Sequence, residues 1–364
     1  MKSNQHDFTR GNVWRQLIVF SIPIIFANLL ETSYSFIDSL WVGNLLGANA
    51  LGAVNICATL LNVVLSLAMG MNNAALTILS QLKGKGDEEG LRRYINAFVV
   101  ILTVASVVFA ALGVCFADVL LRLLGTPKEM MAVGRAYLQI SFIGILFLFG
   151  YNFIGTVMRA LGDSKTPLRF VAMAVLLNTV LDPLLIAGIG WGVQGAAIAT
   201  IVSQGMAFLF GVFYVLYRKM IPLMRPTLPL WKEIQLILRL GIPAGLQMAV
   251  ITAGFAATLS VITNFGEAVV AGFSAAYRFD SLVLLPAFAL STAVNSMAGQ
   301  NIGVGNWKRV SEIAKCSVIT NMGIMFTIAV IIVLFAENGI RLFLDEPEAV
   351  QFGKTYLQIV AFFY

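Results

Sequence analysis

The chain has 364 residues, 59% of them hydrophobic and only 12% charged, with a net charge of +6. Soluble domains carry about 25% charged residues, so this composition excludes an ordinary water-soluble enzyme and points to a protein whose solvent is lipid. A single histidine, His6, allows no H-E-x-x-H zinc motif, and no G-x-x-x-x-G-K-[ST] phosphate loop is present. Cys57, Cys115 and Cys316 form no C-x-x-C pair. Neither ATP hydrolysis nor metal-dependent hydrolysis is expected, no nucleophile set stands out, and no cofactor is implied.

Apolar runs long enough to cross a bilayer recur from end to end, and in lipid they must be helices because backbone groups there find no water to bond. The predicted spans are 18–42, 53–79, 97–116, 137–157, 170–187, 193–217, 238–263, 268–298 and 316–335, with a tenth beginning near 352. Met1 to Arg10 is polar and does not resemble a cleavable signal. In the first span Glu31, Tyr34 and Asp38 are spaced three, four and seven apart, which puts them on one helix face. The fifth span carries Asn178 and Asp182 four apart, followed by Pro183, which cannot donate to the Thr179 carbonyl and so frees an acceptor beside the acid. The sixth offers the Thr200 hydroxyl. Arg218 to Lys232, with Pro222, Pro226 and Pro229, reads as a linker. The seventh span has no carboxylate. The eighth holds Arg278 and Asp280, too close in sequence to face each other, so each is expected to serve as a structural polar group bonded to another helix.

Ionisable side chains inside a bilayer are expensive and face a cavity or a partner. If Asp38 and Asp182 converge in a dry pocket, both cannot ionise cheaply. A shared proton or a small cation caged by carboxylate, amide and hydroxyl oxygens would relieve the repulsion.

Placing the N-terminus in the cytoplasm puts eighteen of the 24 Lys and Arg on the inner side and five on the outer, with Arg278 inside a span. The N-terminus is therefore expected inside, and the positive charge reports topology; no nucleic-acid partner is needed. The chain also repeats itself. Ile22-Pro23 returns as Ile242-Pro243, Gln81 as Gln300, and Tyr137-Leu138-Gln139-Ile140 letter for letter as Tyr356-Leu357-Gln358-Ile359. This implies an all-α polytopic membrane protein of two parallel six-helix lobes, residues 1–219 and 220–364, related by a pseudo-two-fold axis along the membrane normal. By the same arithmetic about 74 residues are missing from the second lobe, so 9–10 of about twelve helices are expected here.

The order and spacing of several segments resemble the multidrug and toxic compound extrusion (MATE) family, in its DinF-like branch. They are Ser21-Ile22-Pro23, Asp38-Ser39-Leu40-Trp41-Val42-Gly43, Gly47-Ala48-Asn49-Ala50-Leu51, Met158 to Pro167, Asn178 to Pro183, Gly195 to Thr200 and Pro286 to Ala293. The resemblance implies a bacterial inner-membrane antiporter, a monomer bathed in lipid, that exports organic cations or amphiphilic drugs in exchange for H+ or Na+. It carries over a coupling-ion site, and the only cation site, to Asp38, Asn178, Asp182 and Thr200. Glu31, Tyr34, Asn152 and Met173 are then candidate cavity or substrate residues. The bare seventh helix puts a second-lobe ion site of the NorM type in doubt. The alternative is a lipid-linked precursor flippase of the same superfamily, which would favour several cations around its cavity, whereas the first-lobe interior here is acidic.

Overall fold

The structure, a computed structural model, describes residues 6–218, 220, 227–344 and 346–364. Lys219, Pro222, Arg225 and Pro226 of the predicted linker lie outside the described residues. Among those described, all regular structure is helical. Ten α-helices follow in order: α1 Val13–Leu46, α2 Ala48–Lys85, α3 Glu88–Leu123, α4 Lys128–Ala160, α5 Lys165–Pro183, α6 Gly192–Tyr217, α7 Trp231–Ile262, α8 Glu267–Gly303, α9 Trp307–Arg341 and α10 Pro347–Val360. Nine are long and apolar enough to span a bilayer. Seven of the nine predicted spans lie inside one of them; 170–187 runs past the end of α5 into the turn that follows it, and 238–263 ends one residue beyond α7. Elsewhere the helices run well beyond the apolar runs because capped, charged turns extend them. The tenth starts at Pro347 and not near residue 352: Pro at the first helical position begins a polar turn that hydropathy alone does not register. Twelve helices were expected of a complete protein; these residues form ten.

Local sequence sets the boundaries. Asn12 accepts from the Arg15 amide, Asp87 from Gly90 and Asn306 from Arg309, each satisfying a first-turn donor. Asp87 and Asn306 are separated by the same offset as Gln81 and Gln300 and as Tyr137 and Tyr356. Beyond Pro183 the chain continues as a π turn, Leu184–Gly188. The missing N–H was read from the sequence; the π turn that accommodates it was not.

Two groups of helices result. In the first, α4 packs on α2, α3 and α6, while α5 packs on α1 and α6; in the second, α8, α9 and α10 pack together. They meet through α2, which lies along α7 and α8, and through α1, which lies on α8. Glycines permit the approach. A Cβ on Gly70 would overlap the backbone of Gly241 and Gly245, and one on Gly84 would overlap Gln300. One on Gly303 would in turn overlap Gln81. Small residues at such crossings let helices pack in lipid, where apolar burial provides little drive. The α2–α8 crossing lies at the end of the bundle that carries Lys83, Lys85, Arg159, Lys165, Lys308 and Arg309, which we call the basic end.

Candidate functional site

The site is built where α1, α5 and α6 meet. Asp38 on α1 and Asp182 at the end of α5 bring their carboxyl groups within hydrogen-bonding reach of each other. Asn178, one turn before Asp182, donates its amide nitrogen to Asp182 Oδ1 at 3.1 Å. Tyr34, one turn before Asp38, donates its hydroxyl to Thr200 Oγ1 on α6 at 2.9 Å. Asn178 and Asp182 are completely buried. Asp38 Oδ1, Asp182 Oδ2 and Asn178 Oδ1 are buried and receive no hydrogen bond among the described residues. Two carboxyls can bond directly only if one is protonated. Left ionised in a low-dielectric pocket they repel strongly. A proton or a small cation is what this set of oxygens suits.

Of the eight nominated first-half residues, Asp38, Asn178 and Asp182 come together here, while Thr200 is joined only through Tyr34, one turn before Asp38. Glu31 stands apart: it remains accessible, the Tyr151 hydroxyl on α4 lies 3.5 Å from it, long for a hydrogen bond, and the Arg159 guanidinium is within electrostatic range. Asn152 donates to the Leu148 carbonyl of its own helix at 2.9 Å, and no described hydrogen bond joins Asn152 or Met173 to the acidic pair. Tyr137 on α4, which the sequence marks only as part of a repeated tetrapeptide, lies within electrostatic range of Asp38, Tyr34 and Asp182. Its repeat partner, Tyr356, donates to Asp280 Oδ2 at 3.0 Å, and Tyr364 also bonds that carboxylate.

Asp280 therefore finds its partners on α10 and the turn after it. Arg278 does not bond a carboxylate among the described residues. Its guanidinium lies 5.5 Å from the ring centres of both Phe36 and Phe343. Aromatic faces attract a cation, so rings of α1 and of the turn after α9, and not an acid, receive it. No cluster of three or more metal-ligating side chains occurs among the described residues. A separate cavity of about 650 Å³ opens between α2, α7, α8 and α9. Asn73, Thr77, Asn295 and Asn321 line it, but none of the nominated residues does.

Asp163, in the segment Met158 to Pro167, has a structural task. It is fully buried and accepts from the Lys165 and Thr166 amides at 3.0 Å and from the Thr166 hydroxyl at 2.6 Å, closing the first turn of α5.

An all-helical polytopic membrane protein, with two acids facing one another inside one helix group, is a membrane transporter in its architecture. The chain belongs to the MATE family: the MatE family model matches residues 23–184 and 243–364. It is 58% identical over 359 residues to the probable multidrug resistance protein YpnP of Bacillus subtilis, covering 99% of this chain and 81% of that protein. Identity to the probable multidrug resistance protein YoeA of the same organism is 30% over 366 residues, covering 98% of this chain and 79% of that one. The fold matches a solved structure described as the outward-facing conformation of a multidrug resistance MATE family transporter, with a TM-score of 0.92 at 24% identity. That match covers 100% of this chain and 82% of the other. The protein is a multi-pass membrane transporter and not an enzyme.

Proposed function

We propose that the protein is a secondary antiporter of the DinF-like branch that exports organic cations or amphiphilic drugs in exchange for H+ or Na+. The observation that carries this is the apposition of Asp38 and Asp182, with three buried acceptor oxygens that no described donor satisfies. On this reading the coupling ion binds between the two acids, with Asn178 and Thr200 completing the oxygen set. The α1–α6 group is the first lobe and α7–α10 belong to the second. The matched caps at Asp87 and Asn306, and the tyrosines Tyr137 and Tyr356 each beside a buried acid, support the two-lobe repeat. The basic end faces the cytoplasm, in keeping with the asymmetry of Lys and Arg, and the membrane is the bacterial inner membrane. Glu31 and Tyr34 face the path of the substrate, where Glu31 would offer a negative charge to a cationic drug.

Drug and ion need not touch. Each need only stabilise a different state of the lobes for the exchange to be obligatory and reciprocal. The test is counter-transport by the purified transporter in liposomes, with a pH step and a Na+ step imposed separately. A drug gradient built by at least one of the two steps, and abolished when that ion is equalised, is the expected result. Drug flux that follows neither gradient would overturn the antiport reading.

A further inference from the structure

We infer that residues 6–10, ahead of the first helix, are a strap that holds the two lobes together at the basic end, so that this end opens only when the strap lets go. The inference rests on the transport reading above for its consequence; its contacts stand on their own.

The strap bonds to both helix groups. On the first-lobe side, the His6 amide donates to the carbonyl of Gly162, in the turn between α4 and α5, at 2.9 Å. Gly162 has φ +89°, and a Cβ there would overlap the His6 carbonyl, so only glycine both makes the turn and admits the strap. On the second-lobe side, the Phe8 amide donates to Gln300 Oε1 at 3.3 Å. The Phe8 carbonyl accepts from Asn301 Nδ2 at 3.0 Å and from Arg309 Nε at 2.8 Å. Arg309 then reaches the Arg10 carbonyl and Gln16 Oε1, each at 3.0 Å.

The Phe8 ring is completely buried and packs with Phe20 of α1, Leu290 and Met297 of α8 and Ile313 of α9. Gln300 also donates to the Ala160 carbonyl at 3.1 Å, and Ser296 to the Arg159 carbonyl at 2.7 Å. The strap thus lies over a seam already bonded from lobe to lobe. A polar tail of no further use would leave a phenylalanine in water or lipid. Here it is buried, and its own amide and carbonyl are both bonded to the second helix group, so the segment adds contacts that any separation of α4–α5 from α8–α9 must break.

The experiment places spin labels at the exposed positions Lys165 and Lys308, one on each side of the seam. Both are changed to Cys in a background where the exposed Cys115 is Ser, with the protein in lipid nanodiscs. Phe8→Ala removes the buried ring; Arg309→Gln removes two strap bonds from a partly exposed residue, which keeps the test decisive if Phe8→Ala does not fold. The expected result is a longer-distance population that rises at least about tenfold in ratio to the short one in either folded variant. Thermal unfolding shifts without any change in the distance distribution would mean a merely structural segment and would overturn the inference. The two readings separate cleanly. A distance shift in a protein that transports nothing keeps the strap and sinks the antiporter, whereas unchanged distances in an active exchanger do the reverse.

Discussion

Asp38→Asn is expected to uncouple the transporter while leaving it folded. Asn has nearly the volume of Asp and keeps one oxygen near Asp182, so the packing of α1 against α5 survives. What disappears is the second negative charge. With a single acid left in the pocket, the repulsion that makes a proton or cation bind there is gone. Coupling free energies between two ligands run at about 1–3 kcal/mol, equivalent to about 5–150-fold in affinity. Ion-driven drug accumulation in liposomes should therefore fall by at least about fivefold, with drug binding retained. Asp182→Asn should do the same, and the double variant no more than either alone, because the two acids act as one unit. Additive losses in the double variant, or undiminished accumulation in Asp38→Asn, would separate the residues and remove the shared site.

Gly84→Val has the second large effect, for a reason unrelated to charge. The Gly84 Cα faces the Gln300 backbone across the α2–α8 crossing, where a Cβ would overlap it, and Gly303 faces Gln81 in the same way. Backbone cannot rotate aside as a long side chain could, so the helices must separate. Overpacking of this kind costs about 1–3 kcal/mol, occasionally more. Because the overlap exists only while the basic end is closed, the cost falls on that state alone. The expected outcome is a protein trapped open at the basic end, which accumulates no drug yet binds it from that side. A distance measurement across the seam that matches the unsubstituted protein would contradict this. Gly86, whose added Cβ meets nothing within 4 Å, gives the contrast: its φ of +72° makes Gly86→Ala locally strained without touching α8.

The legible parts of this protein were those in which cost shows in composition. Long apolar runs have one solution in lipid, so the nine spans could be placed before any helix was seen. A carboxylate inside such a run must be compensated, and that made Asp38 and Asp182 stand out although 144 positions separate them. Their apposition follows because α1 packs on α5, which the spacing of Asn178 and Asp182 on one face allowed. The unreadable parts were those in which the compensating group is ordinary. The rings of Phe36 and Phe343 that receive Arg278 are indistinguishable in sequence from the other exposed aromatics of the chain. Phe8 sits in a polar tail, and its partners lie nearly three hundred residues away. Glu233, buried at the start of α7, pairs with Arg93 of α3 at 2.7 Å. Nothing in the sequence marks two charges 140 positions apart as a pair. The π turn after Pro183 is a local answer to a missing donor, and several other answers were open to the chain.

The claim on which the rest depends is that Asp38 and Asp182 hold one exchangeable ion between them. Calorimetric titration of a transported drug into the detergent-solubilised transporter, repeated in buffers of different ionisation enthalpy and with and without Na+, measures it directly. The account predicts that binding releases about one proton, or is weakened by Na+ in a competitive manner, and that both effects vanish in Asp38→Asn. Drug binding whose heat is independent of buffer and of Na+ in the unsubstituted protein would contradict it.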